Sequence, residues 1–217
     1  MLYCRYCGRI ISMRLRNCTH SGEPTFVLNQ SLRVMSTFDS KSLPPNIYLN
    51  YKLKKDHSPL NKKISSVNVV GIPTADGKNF HFHIALLAED QTSFHCDATP
   101  GYTDPAHLMR TNLLIGYQTD TLASSTDIFC MPMMTSSSHT TAADICKQII
   151  DSTVYQYDFD EQGNGCRHWC ATVLEKLAES GIVQSDVSAL YQDWELEQYR
   201  KFGDRIPMPR ICGTFYK

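Results

Sequence analysis

The chain has 217 residues, of which 42% are hydrophobic and 20% charged, and its formal net charge is −1. This composition supports a folded core and argues against disorder, while the near-zero charge gives no general attraction to nucleic acid or to an anionic membrane. No apolar run reaches the roughly 18 residues of a membrane-spanning helix, and the N-terminal stretch lacks the apolar core of a signal peptide. We therefore expect a soluble, cytoplasmic protein with reduced cysteines.

The first part of the chain predicts a cysteine-rich arm followed by strands. Residues 1–22 are basic and rich in cysteine and are interpreted as an N-terminal arm, which leaves 23–217 as a single catalytic domain. β-Branched and aromatic residues in partial alternation predict strands over 25–35, 46–53, 65–72, 80–88, 93–98 and 111–119. The dipeptide Asp76-Gly77 is a strong turn signal between two of them. The middle of the chain therefore predicts an antiparallel meander of four or five strands.

The last third of the chain predicts helices. Amphipathic patterns predict three helices, over 142–152, 166–180 and 185–202. Thr140 or Thr141 is placed to cap the first, and Gly181 follows the second as a C-terminal cap. Because the strands come first and the helices later, the predicted fold class is α+β, with an antiparallel sheet packed against a few helices.

The stretch GNGCRHWC (163–170) places a cysteine at the start of the second predicted helix. At that position the unpaired backbone N–H groups and the helix dipole favour an anion, and the thiolate is the nucleophilic form of cysteine. The flanking glycines permit a sharp turn, and the same N–H groups are suited to bind an oxyanion. Cys166 is therefore the predicted nucleophile, with Asn164, Gly165 and Arg167 as oxyanion or substrate residues. The alternative is that Cys166 is an ordinary buried thiol.

A thiol nucleophile needs a base, and the segment FHFHIALLAEDQTSFH supplies three candidate histidines. His81 and His83 alternate onto one face of a predicted strand, and His95 lies on the next strand beyond a short turn. We expect the three side chains to converge in space. A base together with a second polar residue that orients it is the general arrangement of a catalytic triad.

These motifs resemble the circularly permuted papain-like thiol enzymes of the lecithin:retinol acyltransferase-like family, over roughly residues 80–180. In that family an H-W-A strand turns into a second strand that ends in a histidine, with the same spacing as His83 and His95, and an N-C-E-H-F motif later opens a helix. The resemblance implies Cys166 as nucleophile, His83 as base and His95 as the residue that orients the base. Here H-I-A replaces H-W-A, and His81 is an additional candidate for the base.

Together these features predict a cysteine-nucleophile acyl-transfer enzyme that forms an acyl-cysteine intermediate and needs no cofactor. The expected substrate is a small acyl or aminoacyl compound, and the acceptor is water or an amine. NGCRHWC also resembles small fungal proteins of natural-product biosynthesis. That resemblance implies a tRNA-dependent, arginine-containing cyclodipeptide synthase as an alternative. Aminoacyl-tRNA would then be a partner and would contact the basic clusters at 13–16, 52–55 and 61–63.

The N-terminal arm carries a competing metal-binding pattern. Cys4 and Cys7 form a C-x₂-C pair, and Cys18 and His20 follow, so that the arm contains four ligands suited to a structural tetrahedral zinc. The pattern defines a further alternative, a non-catalytic zinc-binding interaction module built on a papain-like scaffold.

Overall fold

The computed structural model describes residues 2–3, 10–11, 38, 42–102, 104–119, 129–134 and 139–216. The chain divides into two compact units, Met1–Ser36 and Thr37–Lys217. The described backbone of the first unit is an antiparallel pair of short strands, β1 (Leu2–Tyr3) and β2 (Ile10–Ile11). The strand predicted over 25–35, and the predicted boundary after residue 22, lie outside the described residues.

The second unit is built on a six-stranded mixed sheet. Its strands are β3 (Ile47–Leu49), β4 (Ile64–Pro73), β5 (Phe80–Ala88), β6 (Ser93–Pro100), β7 (Thr111–Gln118) and β8 (Phe129–Met134). The order across the sheet is β3-β7-β6-β5-β4-β8, and neighbouring strands are antiparallel except for the parallel pair β3 and β7. The predicted α+β class is confirmed, with a mixed sheet in place of a purely antiparallel one.

The strand predicted over 46–53 is wrong in its second half. The strand β3 ends at Leu49, and a short helix, α1 (Tyr51–Lys55), begins directly afterwards. Asn50 is a favourable N-cap residue, and its side chain accepts a hydrogen bond from the backbone N–H of Leu53 at 3.1 Å. This cap ends the strand, and a 3₁₀ turn, Ser58–Asn61, leads on to the next one.

The remaining elements follow the sheet along the chain. They are α2 (Ala142–Asp151), β9 (Tyr157–Asp158), α3 (Cys166–Glu179), α4 (Val187–Phe202), a 3₁₀ turn (Gly203–Arg205) and β10 (Thr214–Phe215). Thr141 caps α2 in a reciprocal capping box with Asp144. Asp186 holds the N-cap position of α4, but its side chain makes no capping hydrogen bond. The two short strands β9 and β10 pair with each other in an antiparallel ribbon.

The hydrophobic core lies between the sheet and the helices. The helix α3 packs on β5 and β6 and is flanked by α2 and α4. Its inner face buries Trp169, Cys170 and Val173 completely, and each large apolar side chain buried in this way stabilises the fold by about 1.5–3 kcal/mol. The indole N–H of Trp169 donates to the carbonyl of Val154 at 2.9 Å. This packing fixes the position of α3, and therefore of its first residue, against the sheet.

Within the described part of the chain, no helix is long and apolar enough to cross a membrane.

Candidate active site

Cys166 is the first residue of α3 and is half-buried. The first hydrogen bond within the helix runs from the N–H of Trp169 to the carbonyl of Gly165 at 3.0 Å. The amides of residues 166–168 therefore precede the hydrogen-bonded ladder of the helix. Such amides, with the positive end of the helix dipole, can bind the oxyanion that forms when a thiol attacks a carbonyl.

The loop before α3 is held by the carboxylate of Asp160. One carboxylate oxygen accepts the backbone N–H of Asn164 at 2.6 Å and that of Gln162 at 3.0 Å. The other accepts the side-chain amide of Asn164 at 3.1 Å. Asn164, a predicted oxyanion or substrate residue, thus uses its side chain to shape the loop. No role was predicted for Asp160 from the sequence, although an aspartate ahead of Asn-Gly residues is a common signal of such turns.

A buried tyrosine fixes the last residue of this loop. The hydroxyl of Tyr157 donates to the carbonyl of Gly165 at 3.0 Å, accepts the N–H of Gly213 at 2.7 Å, and lies 3.3 Å from Nδ1 of His168. Burial raises the pKa of Tyr157 well above its ordinary value, so the phenol stays protonated and can donate. Gly165 has φ +130°, and a Cβ at this position would clash with the Tyr157 hydroxyl. Gly165 therefore serves as the turn that places Cys166.

His81 connects the Cys166 thiol to a carboxylate that was not predicted from the sequence. Nε2 of His81 lies 2.6 Å from Oδ1 of Asp97, on the neighbouring strand. Burial lowers the pKa of His81, but its hydrogen bonds and charge interactions with Asp97 and Cys166 outweigh burial and raise that pKa to about 10. Burial in turn acts to raise the pKa of Asp97, whereas the hydrogen bond and charge of His81 lower it overall. The imidazole is therefore held as an imidazolium at neutral pH.

The other two histidines contact each other, and the ring of His83 also stacks on that of His81, with ring centroids 6.4 Å apart. Nε2 of His83 lies 3.2 Å from Nδ1 of His95, and His83 is only 4% exposed. Burial lowers the pKa of His83 to about 4. The charge of Asp97 acts in the opposite direction, and the charges of His95 and His81 add to the lowering. Burial also lowers the pKa of His95. These two imidazoles are therefore neutral at pH 7. Besides each other, the groups that affect their pKa values are His81, Asp97 and Gln118.

The structure brings the three predicted histidines and Asp97 together in one cluster beside Cys166. His81 is the histidine that contacts Asp97 and lines the cleft with Cys166, whereas His83 and His95, predicted as base and orienting residue, contact each other. Asp97 follows His95 by two residues, and residues two apart on a strand share a face. This alternation in SFHCDA is the signal that would have identified Asp97.

Arg167, predicted to bind substrate or an oxyanion, has its guanidinium engaged inside the protein. It is buried and donates to Glu195 of α4 at 3.3 Å and to the carbonyl of Pro207. Arg210 donates to the same carboxylate, with Nε 3.0 Å from Oε1. The side chain of Arg167 thus ties α3 to α4 and to the C-terminal segment. Its backbone N–H remains among the first amides of α3.

A cleft of about 200 Å³ opens beside Cys166 and His81. Its walls come from the start of β5, from the loop that precedes α3, and from the C-terminal segment that contains Arg205, Pro207 and Ile211. The thiol, its neighbouring imidazolium and the helix N-terminus therefore share one accessible space.

In the part of the chain that the structure describes, no group of three or more His, Cys, Asp or Glu residues is arranged to hold a metal ion. The predicted zinc ligands Cys4, Cys7, Cys18 and His20 lie outside the described residues.

Residues 67–216 match the model of a protein family described as a domain of unknown function, DUF7770. The match spans more than half of the chain, so the protein belongs to this family. It includes His81, Asp97 and Cys166 as well as the C-terminal wall of the cleft. No curated protein matches the chain, and no solved structure does.

Proposed function

We propose that the protein is a cysteine-nucleophile acyl-transfer enzyme in which Cys166 is the nucleophile, His81 the acid-base residue and Asp97 the residue that orients His81. The observation that carries this proposal is the pair of His81 and Asp97, 2.6 Å apart, in the same cleft as the thiol of Cys166 at the N-terminus of α3. A nucleophile, a base and a group that orients the base constitute the general arrangement of thiol and serine acyl-transfer enzymes.

In the proposed reaction, His81 holds the thiol proton and the sulfur of Cys166 attacks the carbonyl carbon of the acyl donor. The new S–C bond gives a tetrahedral oxyanion, which the amides at the start of α3 stabilise. As the bond from the carbonyl carbon to the leaving group breaks, His81 gives its proton to the leaving group. The thioester then reacts with water or an amine, whose proton returns to His81, and the thiol is released. The acceptor decides between hydrolysis and amide formation.

The raised pKa of His81 supports its proposed role as the acid-base residue. With a pKa of about 10, His81 carries its proton at pH 7 before substrate arrives. A neighbouring imidazolium stabilises a thiolate, and the helix N-terminus adds to this effect. His83 and His95 are neutral at pH 7 and therefore cannot stabilise a thiolate by their charge.

The experiment compares two thiols of the same protein. Native protein is treated with limiting iodoacetamide at pH 6, and the label is mapped by mass spectrometry. Exposure alone would favour Cys212, which is exposed, over the half-buried Cys166. We expect Cys166 to be labelled first, because the thiolate is the reactive form.

Two histidine variants test which imidazole activates the thiol. His81→Asn should slow alkylation of Cys166 by about 10²-fold or more, the usual contribution of a positioned acid-base group, while His83→Asn should leave the rate within about twofold. Faster labelling of Cys212 than of Cys166 in the native protein, or equal losses in both histidine variants, would exclude the proposed triad.

A second candidate, the tRNA-dependent cyclodipeptide synthase, is favoured by one surface. The side chains of Lys52, Lys54 and Lys55 on α1 are exposed beside Tyr51, whose ring lies 4.5 Å from the Nζ of Lys55. Basic and aromatic groups together suit an RNA backbone and its unstacked bases. Incubation with radiolabelled arginyl-tRNA should then place label on Cys166, and neutralising the three lysines should reduce it. Rapid alkylation of Cys166 without any arginine label would eliminate this candidate.

A further inference from the structure

One arginine of the cleft has no anionic partner among the described residues. Arg205 ends the 3₁₀ turn after α4 and lines the cleft together with His81 and Cys166. Its guanidinium carbon lies 4.2 Å from the ring centroid of Phe80. Its Nε atom is buried and has no hydrogen-bond acceptor within the described part of the protein.

Two other arginines, Arg167 and Arg210, do have an anionic partner. They share the carboxylate of Glu195. A buried donor without an acceptor is unfavourable, because it has lost its hydrogen bonds to water. An acceptor supplied by a ligand in the cleft would satisfy the Nε of Arg205.

The lining of the cleft is suited to an anion. No aspartate or glutamate is among the described residues that line it, whereas His81 and Arg205 are. Arg167 also lines it, but its guanidinium is already paired with Glu195. The remaining polar side chains are neutral amides and hydroxyls, from Thr74, Asn79, Gln162 and Asn164. Packing against Phe80 holds the guanidinium plane, and a fixed guanidinium presents paired N–H donors that match the two oxygens of a carboxylate.

We propose that Arg205 binds a carboxylate of the acyl substrate, so that the enzyme acts on small polar acyl compounds that carry a carboxylate besides the reactive carbonyl. The inference rests on the proposed function, because it uses the same cleft and the same nucleophile. Arg205 selects the substrate, and Cys166 and His81 carry out the bond-making steps.

Two alkylating reagents that differ in one group test this inference. Iodoacetate and iodoacetamide both transfer their methylene carbon to the sulfur of Cys166 and release iodide, but only iodoacetate carries a carboxylate. The ratio of their rates at Cys166 therefore reports the preference of the cleft for that group. Arg205→Gln should lower the ratio about tenfold. Arg205→Lys, which keeps the charge, should restore part of it.

The matched control is Arg200→Gln, which makes the same change in net charge at an exposed position of α4. It should leave the ratio unchanged. If Arg205→Gln leaves the ratio unchanged while Cys166 still reacts rapidly with iodoacetamide, the role of Arg205 is excluded and the proposed function stands. If Cys166 of the native protein reacts slowly with both reagents, the proposed function fails and this inference fails with it.

Discussion

His81 and His83 are two residues apart on one strand, yet their environments drive their pKa values in opposite directions. Asp97 lies 2.6 Å from the His81 ring and outweighs the effect of burial. His83 is more deeply buried and has another imidazole, His95, as its hydrogen-bond partner. Neighbouring titratable groups with separated pKa values are typical of acid-base sites. One imidazole is a charged partner for a thiol, and the other is a neutral part of the interior.

The substitution Asp97→Asn tests the origin of that charge. It keeps the shape of the side chain but removes the negative charge, so the pKa of His81 should fall from about 10 toward its ordinary value of 6.5. An NMR titration of the His81 ring would measure this fall directly. Alkylation of Cys166 at pH 7 should slow by at least about tenfold. A His81 titration that is the same in both proteins would contradict the assignment of Asp97.

The choice among the three histidines could not be made from the sequence. Alternation places His81 and His83 on the same face, and this part of the prediction depends only on strand geometry. The approach of α3 decides which ring meets the thiol, and that depends on the tertiary packing of Trp169 and its neighbours. The backbone pairing of β5 with β6 runs from Leu87–Ser93 to Ile84–Cys96. His81 and Asp97 lie beyond its last pair, where no local pattern predicts their side-chain contact.

The helix α3 is held at its N-terminus by a tight turn and a buried hydroxyl. Gly165 adopts a backbone conformation that L side chains rarely adopt, and the Tyr157 hydroxyl occupies the space where a Cβ would lie. The same hydroxyl joins the start of this helix to the C-terminal segment through Gly213. The position of Cys166 therefore depends on an element far away in the sequence.

The substitution Gly165→Ala should both destabilise the protein and slow alkylation of Cys166. Backbone strain of this kind costs on the order of 1–3 kcal/mol, and the added methyl group must also displace Tyr157. Gly181→Ala is the matched control at the other end of the same helix, because Gly181 has φ +72° but no described atom within 4 Å of the position that an added methyl group would occupy. Urea unfolding should show a loss in both variants, with slower alkylation in Gly165→Ala alone. Normal alkylation in Gly165→Ala would argue against a positioning role.

Glu195 joins three elements through two arginines. It is 1% exposed and accepts from Arg167 of α3 and from Arg210 of the C-terminal segment. Glu195→Ala would leave two guanidinium groups without their buried counter-charge, which is expected to cost about 3–5 kcal/mol in the free energy of unfolding. Glu197→Ala, on the exposed side of the same helix, should cost less than about 1 kcal/mol. Equal values in chemical denaturation would show that the buried group contributes little.

At the level of elements, local signals account for most of the correct predictions. The strand over 80–88 and the cap at Thr141 follow from alternation and from side-chain hydrogen bonding to the backbone. The strand β8 was not predicted from the sequence, and Pro132 lies within it, a residue that argues against a central strand. It lies at the edge of the sheet beside β4, where proline is tolerated. The position of β8 depends on its pairing with β4, which no local sequence pattern specifies.

For the molecule as a whole, the two histidines limit stability on opposite sides of neutral pH. The folded-state pKa of His83 is about 4, below its ordinary 6.5, so the unfolded chain binds protons more readily and stability is lost as the pH falls from 6.5 toward 4. The folded-state pKa of His81 is about 10. Its contribution is therefore fully present below pH 6.5 and is lost as the pH rises toward 10.

A pH series of urea unfolding experiments checks this balance. Native protein should lose roughly 1–3 kcal/mol between pH 6.5 and pH 4.5 through His83, and His83→Asn should flatten that acid limb. His107→Asn, at an exposed loop histidine, serves as the control and should retain it. An acid limb of the same depth in all three proteins would show that His83 does not cause it.

The hydrogen bond from Gly213 to Tyr157 has a consequence for how the protein is made. The ribosome synthesises Cys166 well before the residues from 205 to 213 that complete the cleft and secure the tyrosine. At ordinary rates of translation this interval lasts roughly 2–10 s. During it the nascent chain carries the thiol without the turn that holds it. Under the proposed function, Cys166 would therefore be positioned for reaction only after residues 205–213 have been synthesised.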